Sequence, residues 1–485
     1  MKLRLIGFSD RYALEQQQLS LFPDEPVEEA DAPFSGDGAT VRLSKGKTYL
    51  TATARIRYHG KEAFAVRRLP LAQADVRMTR RTAQLAYFKA ASAVMEEAPE
   101  WGSLSGVRPT KLSTAHLLSG GTRRSAERLM EKTFFVSPAR SRLCVDASLA
   151  TVAAQRLLAE QDLSVYIGIP FCPTRCAYCS FVSQSIERFS GLLEPYVDAL
   201  IREIEHTGDC LRSSPFRIRT LYMGGGTPTT LSAAQLARLM AAIARNFDLT
   251  ALIEYTVEGG RPDTLDAEKL CVLRAHGCDR ISINPQSMND EVLAAIGRRH
   301  TAAQTTQAYF AARNAGFSVI NMDLIAGLPR ESAESFARSL DAVRALAPEN
   351  ITVHTLAMKK GADLFFHRLG LPQKQEVAEM LTYAQTRLRG DGFAPYYLYR
   401  QKYMSGSFEN VGWQKGDTPC LYNIYMMEEL HSILSLGGGG VSKLNLPGGK
   451  IERLANPKYP TQYIERIDNV CAKKDEFFTR LMEGD

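Results

Sequence analysis

The stretch Tyr166–Phe181, YIGIPFCPTRCAYCSF, decides the fold. It contains three cysteines, Cys172, Cys176 and Cys179, with the spacing C-x3-C-x2-C. A cubane [4Fe–4S] cluster normally takes four cysteines, so three thiolates on one short loop leave its fourth iron open. An open iron can chelate an outside ligand, and the sequence therefore predicts a cluster that does chemistry.

The amino and carboxylate groups of S-adenosylmethionine (SAM) are the obvious ligand for that iron. Electron transfer from the cluster into the sulfonium would split a carbon–sulfur bond and release a 5′-deoxyadenosyl radical. The alternatives for three close cysteines are a zinc knuckle and a redox pair. Zinc would need a fourth ligand, and neither His59, His116, His206 nor His276 forms a local ligand pattern with the trio. A redox pair would not need the third cysteine, and the aromatic Tyr178 is suited to shielding a cluster from water.

At these residues the chain resembles the radical SAM superfamily. Within it, YxxIPFC followed by xYC is similar to the HemN group, which contains the oxygen-independent coproporphyrinogen III oxidases and related haem chaperones. The PTRCAYCSF ending and the long N-terminal extension are most similar to the HemZ-type coproporphyrinogen dehydrogenases. From roughly Ser164 to the C-terminus, the chain resembles the HemN group at motif level. From Met1 to about Gln161, it resembles only the HemZ-type subgroup.

Strand and helix patterns alternate after Ser164, which predicts parallel strands with right-handed crossovers. The predicted strands are 164–169, 219–224, 253–259, 280–284, 318–324 and 351–357. The fold class is therefore α/β, a partial (βα)6 radical SAM barrel with ligands at the carboxyl ends of its strands. We expect an N-terminal α+β domain over 1–160 with an acidic linker near 23–38, the barrel over 161–370, and a C-terminal HemN-like α/β extension over 371–485.

The N-terminal region is predicted to contain a short strand, a helix ending near Phe22, a three-stranded antiparallel meander and a helix from about Met78. That helix has a basic face, which is either solvated or a surface for an acidic partner. The basic turn over 101–112 either caps the barrel or touches a substrate carboxylate, or it packs between domains. The sequence gives this domain no function.

Motifs at the predicted strand ends supply the candidate SAM site. Glycine lets backbone approach a ligand closely, and the resemblance implies that the run Gly224, Gly225, Gly226 and Thr227 receives the SAM amino group. It also implies that Glu258 binds the amino or ribose groups.

The later strands carry the remaining candidates. The resemblance implies that Gln286 contacts the ribose, Asp323 accepts from its hydroxyls and Ala357 contacts the adenine through backbone. It assigns the SAM carboxylate to Arg298, whose fork can pair two oxygens, although the adjacent Arg299 could exchange roles with it.

Tyr166 opens the cysteine motif, and in the oxidases this tyrosine touches SAM and the substrate side, so we expect a catalytic role for it. Two positions depart from the oxidase pattern: Gly168 stands where those oxidases have His, and Phe181 where they have a further Cys. These departures leave open whether one or two SAM molecules bind.

An aromatic stretch near the end of the chain is a candidate substrate surface. Its side chains either face a flat tetrapyrrole or belong to an ordinary amphipathic strand: Tyr396, Tyr397, Tyr399, Arg400, Lys402 and Tyr403. The glycine-rich run 436–443 resembles a segment that helps close the SAM site. Cations are needed for substrate propionates, and the candidates are Arg175, Arg188, Lys359, Lys360, Arg400 and Lys443.

The resemblance implies oxidative decarboxylation of two coproporphyrinogen III propionates to vinyls, giving protoporphyrinogen IX. The alternatives are a haem-binding chaperone on the same scaffold, or another radical reaction on a tetrapyrrole such as methyl transfer or haem ring opening. The cofactors implied are a [4Fe–4S] cluster and SAM, and the partners a tetrapyrrole and a low-potential electron donor such as flavodoxin or ferredoxin.

Composition narrows the remaining classes. The 485 residues have a formal net charge of +6, which suits an acidic substrate but does not indicate nucleic acid. Six of the nine cysteines are scattered, which favours a reducing cytosol over a disulfide framework. The sequence shows no signal peptide and no apolar run of membrane-spanning length, so we expect a cytoplasmic monomer.

Overall fold

The computed structural model describes residues 1–8, 10–22, 25–357, 362, 370–401 and 408–484. It forms two compact units, Met1–Val145 and Asp146–Asp485. The division falls within a helix, Pro138–Gln155, before the domain boundary predicted at residue 160. Among the described helices, none combines the length and apolar character needed to cross a bilayer.

The first unit is an α+β structure. Its strands are β1 (Lys2–Ile6), β2 (Glu28–Glu29), β3 (Gly38–Lys45), β4 (Tyr49–Tyr58) and β5 (Lys61–Pro70), and its helices are α1 (Arg11–Leu21), α2 (Val76–Ser92), α3 (Thr110–Leu118), α4 (Arg123–Arg128) and the beginning of α5 (Pro138–Gln155). The sheet order is β2-β1-β3-β4-β5, and β3, β4 and β5 form the predicted antiparallel meander. Alternate residues of β3 and β4, such as Val41 and Ala54, are buried beneath α2, which contributes Ala86 and Tyr87.

The acidic segment predicted as a mobile linker is partly built into this sheet. Glu28 and Glu29 pair in parallel with Lys2 and Leu3 of β1, and Ala30 N–H donates to Leu3 O. The expectation of a free linker was therefore wrong for these residues, because the unpaired edge of β1 offers backbone hydrogen bonds that composition does not reveal. Pro23 and Asp24, also in that prediction, lie outside the described residues.

The second unit contains an 11-stranded sheet and a separate two-stranded sheet, which Phe171–Cys172 and Gln184–Ser185 form. Its strands are β6 (Asp162–Ile169), β7 (Phe171–Cys172), β8 (Gln184–Ser185), β9 (Arg217–Gly225), β10 (Glu254–Gly260), β11 (Arg280–Ile283), β12 (Val319–Ala326), β13 (Asn350–Thr355), β14 (Phe393–Arg400), β15 (Glu409–Lys415), β16 (Ile433–Leu436), β17 (Val441–Leu446) and β18 (Lys450–Ala455). After α5, its helices are α6 (Ile186–Phe189), α7 (Leu193–Arg212), α8 (Ala233–Asn246), α9 (Ala267–Ala275), α10 (Asp290–Ala295), α11 (Ala302–Asn314), α12 (Ala333–Ala345), α13 (Lys374–Gly390), α14 (Leu421–Glu428), α15 (Pro460–Glu465) and α16 (Ile467–Glu483).

The six predicted barrel strands are confirmed as β6, β9, β10, β11, β12 and β13, which pair in parallel in that order. Most of their residues are buried, because helices connect the strands and cover the sheet. Their carboxyl ends therefore meet at one edge, where the motifs of the sequence are brought together.

The C-terminal residues extend this sheet at both edges instead of forming a unit of their own. On one side β15 pairs antiparallel with β13, and β14 follows it. On the other side β16 pairs in parallel with β6, with Ser435 opposite Tyr166, followed by β17 and β18. The residues predicted as an extension thus supply strands to the barrel sheet.

Candidate active site

A cavity of about 360 Å³ lies at the carboxyl ends of the parallel strands. Such a volume is within the usual range of ligand pockets. Its lining brings together most of the predicted site residues, namely Cys172, Cys176, Cys179, Gly225, Gly226, Thr227, Glu258, Gln286, Arg298, Asp323 and Ala357. Residues separated by almost 200 positions in the chain therefore share one cavity because their strands are parallel neighbours.

The cysteine loop is held against the glycine-rich turn after β9. Gly226 N–H donates to Ile169 O over 2.9 Å, and Thr227 N–H donates to Phe171 O over 2.7 Å. A Cβ atom on Gly226 would lie 2.4 Å from Phe171 O, so only glycine permits this approach. The turn thus fixes the start of the loop that carries the thiols.

The three thiols have an environment suited to an iron–sulfur cluster. Thr227 Oγ1 donates to Cys172 Sγ at 3.6 Å, and hydrogen bonds to sulfur tune such clusters. Burial raises the pKa of the Cys179 thiol to about 11, so its binding to iron would release a proton. No fourth cysteine lines this cavity among the described residues, and the donor set therefore fits a cluster with one open iron.

Sequence reasoning missed Arg261, which is 3% exposed and lies beside this loop. Its Nη1 donates to Thr174 Oγ1 at 3.1 Å and to Cys176 Sγ at 3.9 Å. Asp263 fixes the guanidinium through two hydrogen bonds of 3.0 and 3.1 Å. A buried cation close to a thiolate would offset the negative charge of a bound cluster. Its position just after β10 was the available signal.

Glu258 projects into the cavity from β10 through space that glycine provides. A Cβ atom on Gly224 would lie 2.8 Å from the Glu258 carboxyl carbon, which explains the first glycine of the run. Tyr222 donates to Glu258 Oε1 over 2.6 Å. Burial raises the pKa of Glu258 to about 7, although the Tyr222 hydrogen bond opposes this shift.

Gln286 has a left-handed backbone conformation. Its φ is +68°, which L-residues rarely adopt, and its backbone is held by hydrogen bonds to Asp323 O and from Ile325 N–H. Its Oε1 is buried and has no hydrogen-bond partner among the described residues. Such an acceptor on a cavity wall fits a site built for a ligand that donates.

Arg298 also has unused hydrogen-bonding capacity. Its Nη1 donates to Asn284 O at 2.5 Å and its Nη2 to Tyr178 Oη at 3.2 Å. Its Nε is buried and makes no hydrogen bond within the described part of the chain. Arg299 instead is exposed and pairs with Glu187. Of the two adjacent arginines, only Arg298 lines the cavity.

Asp323 lies within β12, not at its end as predicted, and two polar side chains are close to it. Asn321 Nδ2 donates to Asp323 Oδ1 at 2.7 Å, and His354 Nε2 lies 3.6 Å from Asp323 Oδ2. Burial opposes ionisation, but the nearby His354 and the hydrogen bond from Asn321 hold the pKa of Asp323 below its ordinary value. His354 is a second lining residue that sequence reasoning missed, since a lone histidine within an apolar strand gives no local signal.

Two tyrosines of β14 form another wall of the same cavity. Tyr397 and Tyr399 line it with ring centroids 6.1 Å apart and nearly parallel planes. Tyr396 is buried in the same core cluster as Tyr397 but does not line the cavity. A Cβ atom on Gly412 of β15 would lie 2.0 Å from the Tyr397 ring, so glycine makes room for it. The aromatic stretch therefore divides between core and cavity.

Several predicted residues are not among the described residues that line the cavity. Tyr166 lies near Gly225 and beside the stacked rings of Tyr222 and Tyr422, and its catalytic role stays a prediction. The glycine loop 436–443 packs against Gly168. Residues predicted as substrate cations but absent from the described lining are Arg175, Arg188, Arg400 and Lys443, while Lys359, Lys360, Lys402 and Tyr403 lie outside the described residues.

Comparisons with known proteins identify relatives of this arrangement. Residues 166–343 match the model of the radical SAM superfamily. The chain is 39% identical over 391 residues to the oxygen-independent coproporphyrinogen-III oxidase-like protein HemZ of Bacillus subtilis, covering 79% of this chain and 78% of that protein. It is 28% identical to the heme chaperone HemW of Haemophilus influenzae, covering 62% and 76%.

A solved structure is also similar. Coproporphyrinogen III oxidase (HemN) from Escherichia coli, whose structure is titled that of a radical SAM enzyme, has 26% sequence identity and a TM-score of 0.53, covering 67% of this chain and 73% of that one. Radical SAM proteins use a [4Fe–4S] cluster and SAM, and the thiols and unpaired polar atoms described above fit both groups.

Proposed function

The chain belongs to the radical SAM superfamily and, within it, to the family of HemZ-like coproporphyrinogen oxidase relatives, and on that premise we propose that it is an oxygen-independent coproporphyrinogen III dehydrogenase. Its substrate would be coproporphyrinogen III and its product protoporphyrinogen IX. Each of two propionates would lose a hydrogen atom, one CO₂ and one electron, and a one-electron acceptor must take that electron.

One observation carries this proposal. Three thiols and the unpaired donor and acceptor groups of Arg298 and Gln286 lie on the walls of one cavity, at the carboxyl ends of parallel strands. When bound, the cluster and SAM supply one-electron chemistry, namely a reducing electron and an acceptor for a substrate hydrogen atom. We assign Cys172, Cys176 and Cys179 as the cluster ligands.

The remaining walls support roles in binding and orientation. Arg298 would pair with the SAM carboxylate and Glu258 with its amino group, while Gln286 and Asp323 would bind the ribose. The flat faces of Tyr397 and Tyr399 would contact the tetrapyrrole, and burial of these groups excludes water from the reacting carbon. A low-potential reductant such as flavodoxin or ferredoxin would supply the electron.

The decisive experiment is anaerobic turnover. Protein with a reconstituted cluster is incubated with coproporphyrinogen III, SAM and a reductant. The porphyrinogens are then oxidised to porphyrins, and the mass of the product is measured by mass spectrometry. We expect a mass loss corresponding to two CO₂ units and four hydrogens. Cys176→Ala should abolish both cluster and product, whereas Cys271→Ala, at an exposed cysteine of α9, should retain both. Deoxyadenosine formation without a changed porphyrin would contradict the proposal.

The second candidate is a haem chaperone on the same scaffold. It is favoured by the similarity to HemW and by Phe181, which stands where the oxidases have a further Cys. Stoichiometric haem binding by the purified protein without vinyl formation would support this alternative. Transfer of a methyl group or opening of a haem ring would instead change the product mass in a different direction.

A further inference from the structure

A second group of metal-binding side chains lies away from the cavity, where α7 and α16 pack together. His206 and Cys210 are four residues apart on α7, so they share one face of the helix. Asp475 faces them from α16, with Oδ1 2.9 Å from His206 Nε2 and 3.3 Å from Cys210 Sγ. The three potential ligand atoms all lie within 4.8 Å of one another.

A buried ion pair holds the two helices in this register. Lys474 Nζ lies 2.9 Å from Glu203 Oε1, and both side chains are at most 2% exposed. Lys474 immediately precedes Asp475, and Glu203 lies one helical turn before His206. Because a buried charge is costly to leave unpaired, this pair fixes the position of Asp475 opposite the histidine and the cysteine. Ligands placed on rigid helices suit a defined coordination geometry.

The surroundings attract a cation. A surface hollow at this junction is lined by Arg202, Glu205, His206, Asp209, Asp468, Cys471, Ala472 and Asp475. Arg202 pairs with Asp468 and Arg212 with Asp209, and the carboxylates of Glu205 and Asp475 add negative charge beside these pairs. His206 and Cys210 are only half-buried, which leaves an entry path for an ion from solvent.

We propose that His206, Cys210 and Asp475 bind a zinc ion that joins α7 to α16. Nitrogen, thiolate and carboxylate are all zinc ligands, with bonds of about 2.0 to 2.3 Å, whereas Mg²⁺ and Ca²⁺ disfavour sulfur. Three protein ligands leave a fourth position for water. The thiol proton passes to solvent on binding, and the thiolate and carboxylate together neutralise the charge of Zn²⁺.

This site is tested by measuring the zinc affinity of the protein that contains its iron–sulfur cluster. The cluster occupies Cys172, Cys176 and Cys179, so these thiols cannot bind the added zinc. Zinc is titrated against a chromophoric chelator. We expect one zinc per chain, and at least about tenfold weaker binding in His206→Ala, Cys210→Ser and Asp475→Asn, since each loses one ligand. Cys271→Ser is the matched control and should bind as the starting protein does.

A spectroscopic measurement separates ligation from a general effect on the fold. Cobalt added in place of zinc should give a sulfur-to-cobalt charge-transfer band in the difference spectrum, absent in Cys210→Ser and retained in Cys271→Ser. Cluster content and circular dichroism report whether each variant is folded. The site is disproved if the three ligand variants bind zinc as tightly as the starting protein, or if the cobalt band survives Cys210→Ser.

Discussion

Tyr222 donates its hydroxyl hydrogen bond to Glu258 over 2.6 Å, at the wall of the cavity that the cysteine loop also lines. Burial nevertheless raises the pKa of Glu258 to about 7. This carboxyl is therefore mostly protonated below pH 7 and mostly ionised above it. Ionised Glu258 accepts hydrogen bonds from an amino group more strongly than the neutral form does.

SAM affinity should consequently rise with pH. Between pH 6 and pH 8 we expect SAM to bind more tightly, by at most about tenfold, because the ionised fraction of Glu258 increases over that range. Glu258→Gln should bind SAM weakly and with a flatter pH profile. Equilibrium dialysis of SAM against the cluster-loaded protein measures this. Parallel profiles for the two proteins would show that Glu258 does not face the amino group.

Glu258 should also make the stability of the folded protein depend on pH. Stability should fall with rising pH, whereas SAM affinity should rise. Its pKa of about 7 in the folded chain lies above its ordinary value of 4.5, so between these values the native state holds a proton that the unfolded state has lost. Stability should therefore fall as pH rises from 4.5 to 7, by about 3 kcal/mol at most. Thermal unfolding of Glu258→Gln should lack this component. An unchanged slope would place the titration elsewhere.

The two adjacent arginines offer a matched comparison. Arg298→Lys should weaken SAM binding roughly 10- to 100-fold, because an ammonium cannot reproduce the guanidinium fork on a carboxylate. Arg299→Lys, at an exposed residue paired with Glu187, should leave SAM binding unchanged. The same dialysis measurement serves both variants. Equal losses would indicate that neither residue alone holds the carboxylate.

Some features of the site could be predicted from the sequence and others could not. The barrel strands were predictable because each follows a local pattern of strand, turn and helix residues, whereas the site residues at their ends were predictable because they match motifs of the family that the chain resembles. For Arg261 the only sequence signal was its position just after β10, and His354 had none, since it reaches the cavity through the parallel register of distant strands. The pairing of β16 with β6 joins residues 433–436 to 164–167, and no local pattern specifies such a contact.

That pairing also gives a physical reason for one departure from the oxidase pattern. A Cβ atom on Gly168 would lie 3.2 Å from Gly438 O and 3.4 Å from Leu436 O, so the C-terminal strand crowds this position. A histidine there would require these carbonyls to move. The sequence showed that glycine replaces histidine but not that residues from the far end of the chain fill the adjacent space.

Arg261 should influence the cluster through charge. Arg261→Ala removes a buried cation close to Cys176 Sγ, so we expect a more negative reduction potential of the cluster and lower cluster content. Arg261→Lys should recover part of both. Redox titration followed by electron paramagnetic resonance measures the potential, with Arg245→Ala, at an exposed arginine of α8, as the control. A potential that Arg261→Ala leaves unchanged would restrict this arginine to packing.

The buried pair of Glu203 and Lys474 should be the most sensitive structural element of the C-terminal helix. Glu203 accepts hydrogen bonds from Lys474, Asn456 and Tyr463 and from Gly437 N–H, so its charge depends on donors from the last strands and helices. Lys474→Met leaves this carboxylate buried without its cation, which costs about 3 to 5 kcal/mol. We expect a clear fall in the melting temperature of the cluster-loaded protein. Lys473→Met, at the neighbouring half-buried lysine, should cost little, because its hydrogen bond to Ala455 O is exposed to solvent. If the two variants melt at the same temperature, the ion pair does not hold α16 against α7.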